Sequence, residues 1–124
     1  MAARQRSATA ASSSAPREHW SVAVEGEAAR LDVPADAQRD RHFEVYCCFT
    51  VARAGAGTAS HALRVLVDGQ QEWARRIATD TGVRDTLDVR FRRTVPAGRS
   101  LRLHALGSTE GARPLRLSIE VEEE

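Results

Sequence analysis

The chain has no lysine and no asparagine, so all 18 of its basic residues are arginine. Without asparagine there is no acceptor for N-glycosylation. Cysteine is limited to the adjacent pair Cys47 and Cys48. Neighbours on a strand point to opposite faces and are poorly placed to bond each other, so no disulfide framework is expected. No apolar run approaches the roughly 18 residues of a spanning helix, so no membrane span is expected. Aromatic residues are 5% of the chain, too few to interleave with arginines as a stacking platform for bases. A net charge of +1 gives no bulk pull toward nucleic acid or anionic lipid. Nucleic acid is therefore not expected as a partner.

What is present fits one globular domain: 124 residues, 42% hydrophobic and 28% charged. Its first 18 residues hold Ser12, Ser13, Ser14, several alanines, and Arg4, Arg6 and Arg17, with no acid before Glu18. Nothing in this stretch offsets the entropy of ordering it, so residues 1–18 read as a disordered basic tail before a domain at 19–124. An arginine- and serine-rich, acid-poor start also matches an organelle transit peptide. A secretory signal needs an apolar stretch that is not there. Together with the two free thiols, this points to a cytoplasmic, reducing compartment.

From His19 onward hydrophobicity repeats every two residues. Phe43, Val45, Cys47, Phe49 and Val51 point one way; Glu44, Tyr46, Cys48 and Thr50 point the other. The same alternation marks Trp20/Val22/Val24, Leu63/Val65/Val67, Leu87/Val89/Phe91, Leu101/Leu103/Ala105 and Leu115/Leu117/Ile119/Val121, and more weakly Leu31/Val33 and Trp73/Ile77. Clusters of Gly, Pro, Asp and Ser separate these segments, which makes about eight short strands. Strands this amphipathic require a second layer over the apolar face. The expected fold is all-β: a single antiparallel β-sandwich, jelly-roll-like.

The turn after Val67 tests the register. A two-residue turn at Asp68-Gly69 in a regular hairpin opposes Val65 with Glu72 and leaves Trp73 outside. A three-residue loop through Gln70 turns Trp73 and Ile77 inward. Burying tryptophan rather than glutamate favours the longer loop by several kcal/mol, with Arg75 then at the sheet margin.

Antiparallel strands place alternate connections at opposite ends. One end takes Asp68-Gly69-Gln70, Pro96-Ala97-Gly98-Arg99 and the linker 34–41. The other takes the longer polar segments 25–30, 53–60, 78–86 and 107–113. Loops beyond the minimum length carry binding residues more often. The expected ligand-binding set is therefore Arg53, Asp80, Arg84, Asp85, Glu110 and Arg113. The bland alternative is a set of solvated hairpin loops.

His19, His42, His61 and His104 are scattered without metal-site spacing and read as exposed strand-end residues. Asp80, Asp85 and Asp88 offer oxygen ligands, but not at the EF-hand spacing, and Arg84 sits among them. No nucleophile elbow, P-loop or dinucleotide fingerprint occurs. No cofactor or metal is expected, and the chain reads as non-enzymatic. Arg90, Arg92, Arg102, His104 and Arg116 face outward; were their strands neighbours, they would form an anion-receiving face, although the favoured reading is a solvated sheet face balanced by the acidic residues at 120–124. Tyr46, Cys48 and Leu66 form an apolar outward row, with their strands read as hairpin partners. This row marks a candidate interface for a homo-oligomer.

The stretch Leu63-Arg64-Val65-Leu66-Val67-Asp68-Gly69-Gln70, then Leu87-Asp88-Val89, then Ala97-Gly98-Arg99-Ser100-Leu101-Arg102-Leu103, resembles jelly-roll carbohydrate-binding modules of the galactose-binding-like type. It is also similar to tumour-necrosis-factor-like and complement globular-head jelly rolls, where Phe43 to Val51 matches an aromatic-rich core strand. Either resemblance covers about residues 43–121 and implies a jelly-roll fold with a binding role. Sugar platforms use exposed aromatics, whereas parity here turns the Phe and Trp residues inward and leaves Tyr46. The expected function is a non-catalytic module that binds a glycan or another polar ligand through its long-loop end. The alternative is an assembly protein joined through a sheet face.

Overall fold

The structure, a computed structural model, describes residues 16–124. Most of the tail expected at 1–18 lies outside the described residues. Eight strands follow the alternating segments: β1 (His19–Val24), β2 (Ala28–Val33), β3 (Arg41–Arg53), β4 (Ser60–Val67), β5 (Gln70–Ala78), β6 (Asp85–Val95), β7 (Leu101–Glu110) and β8 (Ala112–Glu123). A front sheet runs β1-β8-β3-β6 and a back sheet β2-β7-β4-β5, and every pairing is antiparallel. Only β4 and β5 are consecutive strands paired in one sheet; every other connection crosses between the sheets. This order, with strands of two Greek keys interleaved, is the jelly roll.

The inward rows meet as one core. Phe43, Val45, Phe49, Leu63, Val65, Leu103, Leu117, Ile119 and Val121 are wholly buried. Each such side chain contributes roughly 1.5–3 kcal/mol on burial. Trp20, Val22, Leu31, Trp73, Ile77, Val89 and Phe91 pack against it from the margins.

Trp73 does face inward, but by a different device from the expected three-residue loop. The turn is the two-residue Asp68-Gly69, with φ of 51° and 84°, the left-handed pair that suits a tight hairpin. Val67 then opposes Gln70 and Leu66 opposes Gln71, while Val65 opposes Trp73. Glu72 is left over as a bulge, and the extra residue restores the inward parity of Trp73.

His61 departs from the expected exposed strand-end position. It lies in the inward row of β4 with Leu63 and is fully buried. Its Nδ1 is 2.8 Å from Thr79 Oγ1, and its ring meets Phe49 edge-on at 6.3 Å. Burial holds its pKa below the ordinary histidine value.

Glu18, at the border of the expected tail, is tied into the short-turn end. Its amide donates to Glu123 Oε1 at 3.0 Å, and its carboxylate accepts from Trp20 Nε1 at 3.0 Å and Arg41 Nη1 at 2.8 Å. Arg41 is 1% exposed. It also donates to the carbonyls of Pro34 and Arg99 and lies 5.3 Å from the centre of the Phe43 ring.

Candidate functional site

The four connections expected at the long-loop end do gather there, but they are shorter than the sequence suggested. Gly107 to Glu110 continue strand β7, and only Gly111 separates β7 from β8. Its φ is +67°, and a Cβ there would stand 2.5 Å from the Thr58 carbonyl, so glycine is required. The six residues expected to bind ligand fall into two groups. Arg53 is engaged internally: it donates to the Thr79 carbonyl at 3.1 Å and to the Gly57 carbonyl, linking two loops. Asp85 accepts from the amides of Asp80 and Thr86, both at 2.9 Å, and Asp80 accepts from Thr81. These three shape the end of the sandwich. Arg84, Glu110 and Arg113 are exposed.

Tyr46, Cys48 and Leu66 do not form one patch. β3 lies in the front sheet and β4 in the back sheet, so Leu66 is on the opposite outer face from the other two. The expected β3–β4 hairpin fails because the connection at 54–59 crosses between sheets. Tyr46 is covered by its own chain: its hydroxyl donates to Asp88 Oδ2 at 2.9 Å, and the Arg90 guanidinium sits 4.3 Å from its ring centre. The bond to Asp88 is the main cause of a phenol pKa raised well above its ordinary value. Cys47 is buried and Cys48 half-buried, both as free thiols. Burial, then the neighbouring Cys48, pushes the Cys47 thiol up to about 12.

The outward arginines divide in the same way. Arg90, Arg92 and Arg116 belong to the front sheet, Arg102 and His104 to the back. On the front, Arg90 pairs with Glu44 and Arg92 with Glu124, each at 3.0 Å. The single anion-receiving face is therefore not assembled.

The outer face of the back sheet holds a groove that no single segment of the sequence reveals. Register places Leu106, Arg64 and Ala74 in one cross-strand row and Ser108, Ala62 and Arg76 in the next. The small side chains of Ala62, Ala74 and Ser108 leave a shallow groove of about 530 Å³ between the larger ones. Arg76 reaches across it from the edge strand, donating to Ser60 Oγ and Ser108 Oγ, both at 2.9 Å. This clamp fixes the guanidinium over Ala62. Among the described residues, neither Arg64 nor Arg76 forms an ion pair with a carboxylate. Glu110, opposite Ser60 in register, brings the long-loop end to the rim of the groove.

The groove depends on the core beneath it. Gly107 lets the Phe49 ring press against the backbone of β7: a Cβ at Gly107 would meet Phe49 Cζ at 2.5 Å. A glycine inside an alternating strand signals such a close approach. Gly107 is the signal of it in the sequence, although the segment 107–113 also reads as a loop.

No protein-family model matches the chain, and no curated protein matches it. Among solved structures it is similar to part of dimeric latent PorU from Porphyromonas gingivalis. The TM-score is 0.54 at 13% identity, covering 86% of this chain and 12% of that one. The chain thus spans a small fraction of PorU, and the likeness is one of fold. Two further structures superpose more loosely. One is a family 35 carbohydrate-binding module from Clostridium thermocellum, with a TM-score of 0.39 at 7% identity over 83% of this chain and 90% of that one. The other is from the T13 IBDV viral particle, with a TM-score of 0.41 at 10% identity over 90% of this chain and 36% of that one. The jelly-roll architecture expected from the sequence is matched by the strand order of the two sheets.

Proposed function

We propose that the chain is a non-catalytic binding module that takes an anionic polar ligand, an acidic glycan first, on the outer face of the back sheet near its long-loop end. The observation that carries this reading is the pair Arg64 and Arg76. Both stand over a floor of small side chains, without a carboxylate partner, and Arg76 is held in place by two serines. A pre-positioned guanidinium loses little rotamer freedom when it binds a carboxylate or sulfate through two parallel hydrogen bonds. Leu106 and the alanines offer apolar surface to the carbon face of a sugar ring, and Ser108 and Glu110 offer hydroxyl and carboxylate acceptors at the edge. Of the residues expected at the loop end, Arg84, Glu110 and Arg113 are the ones whose side chains remain available to extend such a site.

Calorimetric titration against matched neutral, uronic-acid and sulfated oligosaccharides tests the proposal. Binding restricted to the acidic members is expected, weakened about tenfold or more by Arg76→Ala, the loss of roughly 1.4 kcal/mol. Ala62→Leu should block the floor to a similar extent. Equal binding of neutral sugars, or loss of binding only in Arg84→Ala and Arg113→Ala, overturns the back-sheet site.

A further inference from the structure

We propose that two copies of this chain pair antiparallel through the free edge of β6, with Val89 on the two-fold axis, to give one continuous eight-stranded front sheet across the dimer. The sandwich has four strand edges, and they are not alike. β1 and β2 are short, with six residues each, and β5 is broken by the bulge at Glu72. Short and bulged edges resist pairing with another chain. β6 has 11 residues, and its register with β3 runs without a shift from Asp85 to Val95. Among the described residues its other side pairs with no strand, and of its amides that of Thr86 is taken by Asp85 Oδ1.

Charged side chains normally protect such an edge, yet those of β6 are self-complementary. In an antiparallel pair of identical strands, the two-fold axis passes through a residue, because facing side chains must lie on the same side of the sheet. Centring on Asp88 or Arg90 opposes like charges at the axis itself. Centring on Phe91 sets Arg90 against Arg92, and centring on Leu87 sets Arg84 against Arg90. Centring on Val89 instead sets Asp88 against the partner copy's Arg90 twice, on the outer face. On the inner face it sets Leu87 against Phe91 twice and Val89 against itself, with Asp85 facing Arg93 beyond them. Directly opposed pairs of these kinds stabilise a sheet, and like charges there are destabilising.

The groups concerned keep capacity for a second partner. Asp88 uses Oδ2 for Tyr46, and Arg90 uses Nη1 for Glu44, leaving a carboxylate oxygen and the other guanidinium donors. The seam is also apolar: Val89 and Phe91 on β6, with Trp73 and Ile77 on β5, are only partly buried at this open side of the sandwich. Val83, 86% exposed, lies just before β6, and the same register carries it toward the partner copy's Val95.

Sedimentation equilibrium on the chain, with the variants Asp88→Arg and Arg90→Asp, tests the pairing. Each variant alone opposes like charges twice and should dimerise about tenfold or more weakly than the parent, about 1.4 kcal/mol for each tenfold change. An equimolar mixture of the two should recover the dimer, because each then supplies the charge the other lacks. Unchanged thermal melting of the monomers separates a lost contact from a lost fold. In the parent, alternate β6 amides should gain hydrogen-exchange protection as concentration rises. A parent chain that stays monomeric at millimolar concentration overturns the proposal. So do variants that dimerise as the parent does, or a mixture that fails to recover.

Discussion

The Phe49 ring occupies the space that a side chain at Gly107 would need, with its Cζ 2.5 Å from an ideal Cβ there. Core and candidate groove are thereby coupled: the residue that admits the ring is also part of the floor under Leu106 and Ser108. Gly107→Ala should destabilise the domain by roughly 1–3 kcal/mol as an overpacked site. Phe49→Leu alone should cost about 1–2 kcal/mol, and the double variant should cost less than the sum of the two. Urea unfolding of all four chains measures the coupling. Strict additivity would mean that β7 moves away from the ring freely.

Glu18 ties the beginning of the domain to its end. Its carboxylate faces buried Arg41, and its amide and carbonyl bond Glu123. Arg39 pairs with both acids. Removing residues through Arg17 should leave stability unchanged to within about half a kcal/mol. Glu18→Ala leaves a buried guanidinium with carbonyl acceptors only, and should cost on the order of 1–3 kcal/mol. Thermal melts of the truncated and substituted chains distinguish the two. Equal stability of both would show that Arg41 is satisfied by Pro34 and Arg99 alone.

Much of the fold was legible because period-two alternation is a direct consequence of a sheet with one buried face. Every strongly alternating segment became a strand, and parity placed Phe49, Val65 and Ile119 inward correctly. His61 obeys the same parity, and its residue type disguises a core position that its row implies. Sheet membership was not legible. Alternation says which face of a strand is buried, but not which sheet the strand joins, so Leu66, Tyr46 and Cys48 look like one outward row although the connection between their strands changes sheets. The groove was hidden for a related reason: Ala62, Arg76 and Ser108 lie on three strands and meet only through register.

The bulge at Glu72 makes an unusual forecast. Deleting one residue from a strand normally turns every following side chain to the wrong face. Here, deletion of Glu72 leaves Gln71 opposite Leu66 and Trp73 opposite Val65, the pairs already present, in a regular hairpin. Stability should fall by no more than about 1 kcal/mol, mostly from the lost, partly exposed ion pair with Arg93. Deletion of Ala74, one turn of the pleat later, should reverse Arg75 and Ile77 and abolish cooperative unfolding. Similar losses for the two deletions would mean that the bulge itself sets the twist of the edge.

His61 makes the domain acid-sensitive from above the carboxylate range. The ring is fully buried; burial is the main cause that lowers its pKa, opposed by Asp85 and aided by Arg76. In the unfolded chain the imidazole takes a proton near its ordinary value of 6.5, while in the folded chain it stays neutral to lower pH. The unfolded state therefore binds more protons as pH falls below 6.5, and stability declines until the folded-state pKa is reached. Glu123, whose pKa is lowered chiefly by its bond to Arg39, acts in the same direction. Its contribution is intact above 4.5 and is lost as pH falls through its folded-state value. Unfolding free energies measured at closely spaced pH values should show two onsets of decline, one below pH 6.5 and one below 4.5. His61→Phe should remove the upper one and leave the lower. A parent chain whose stability is flat between pH 6.5 and 5 would show that the buried ring is protonated without cost.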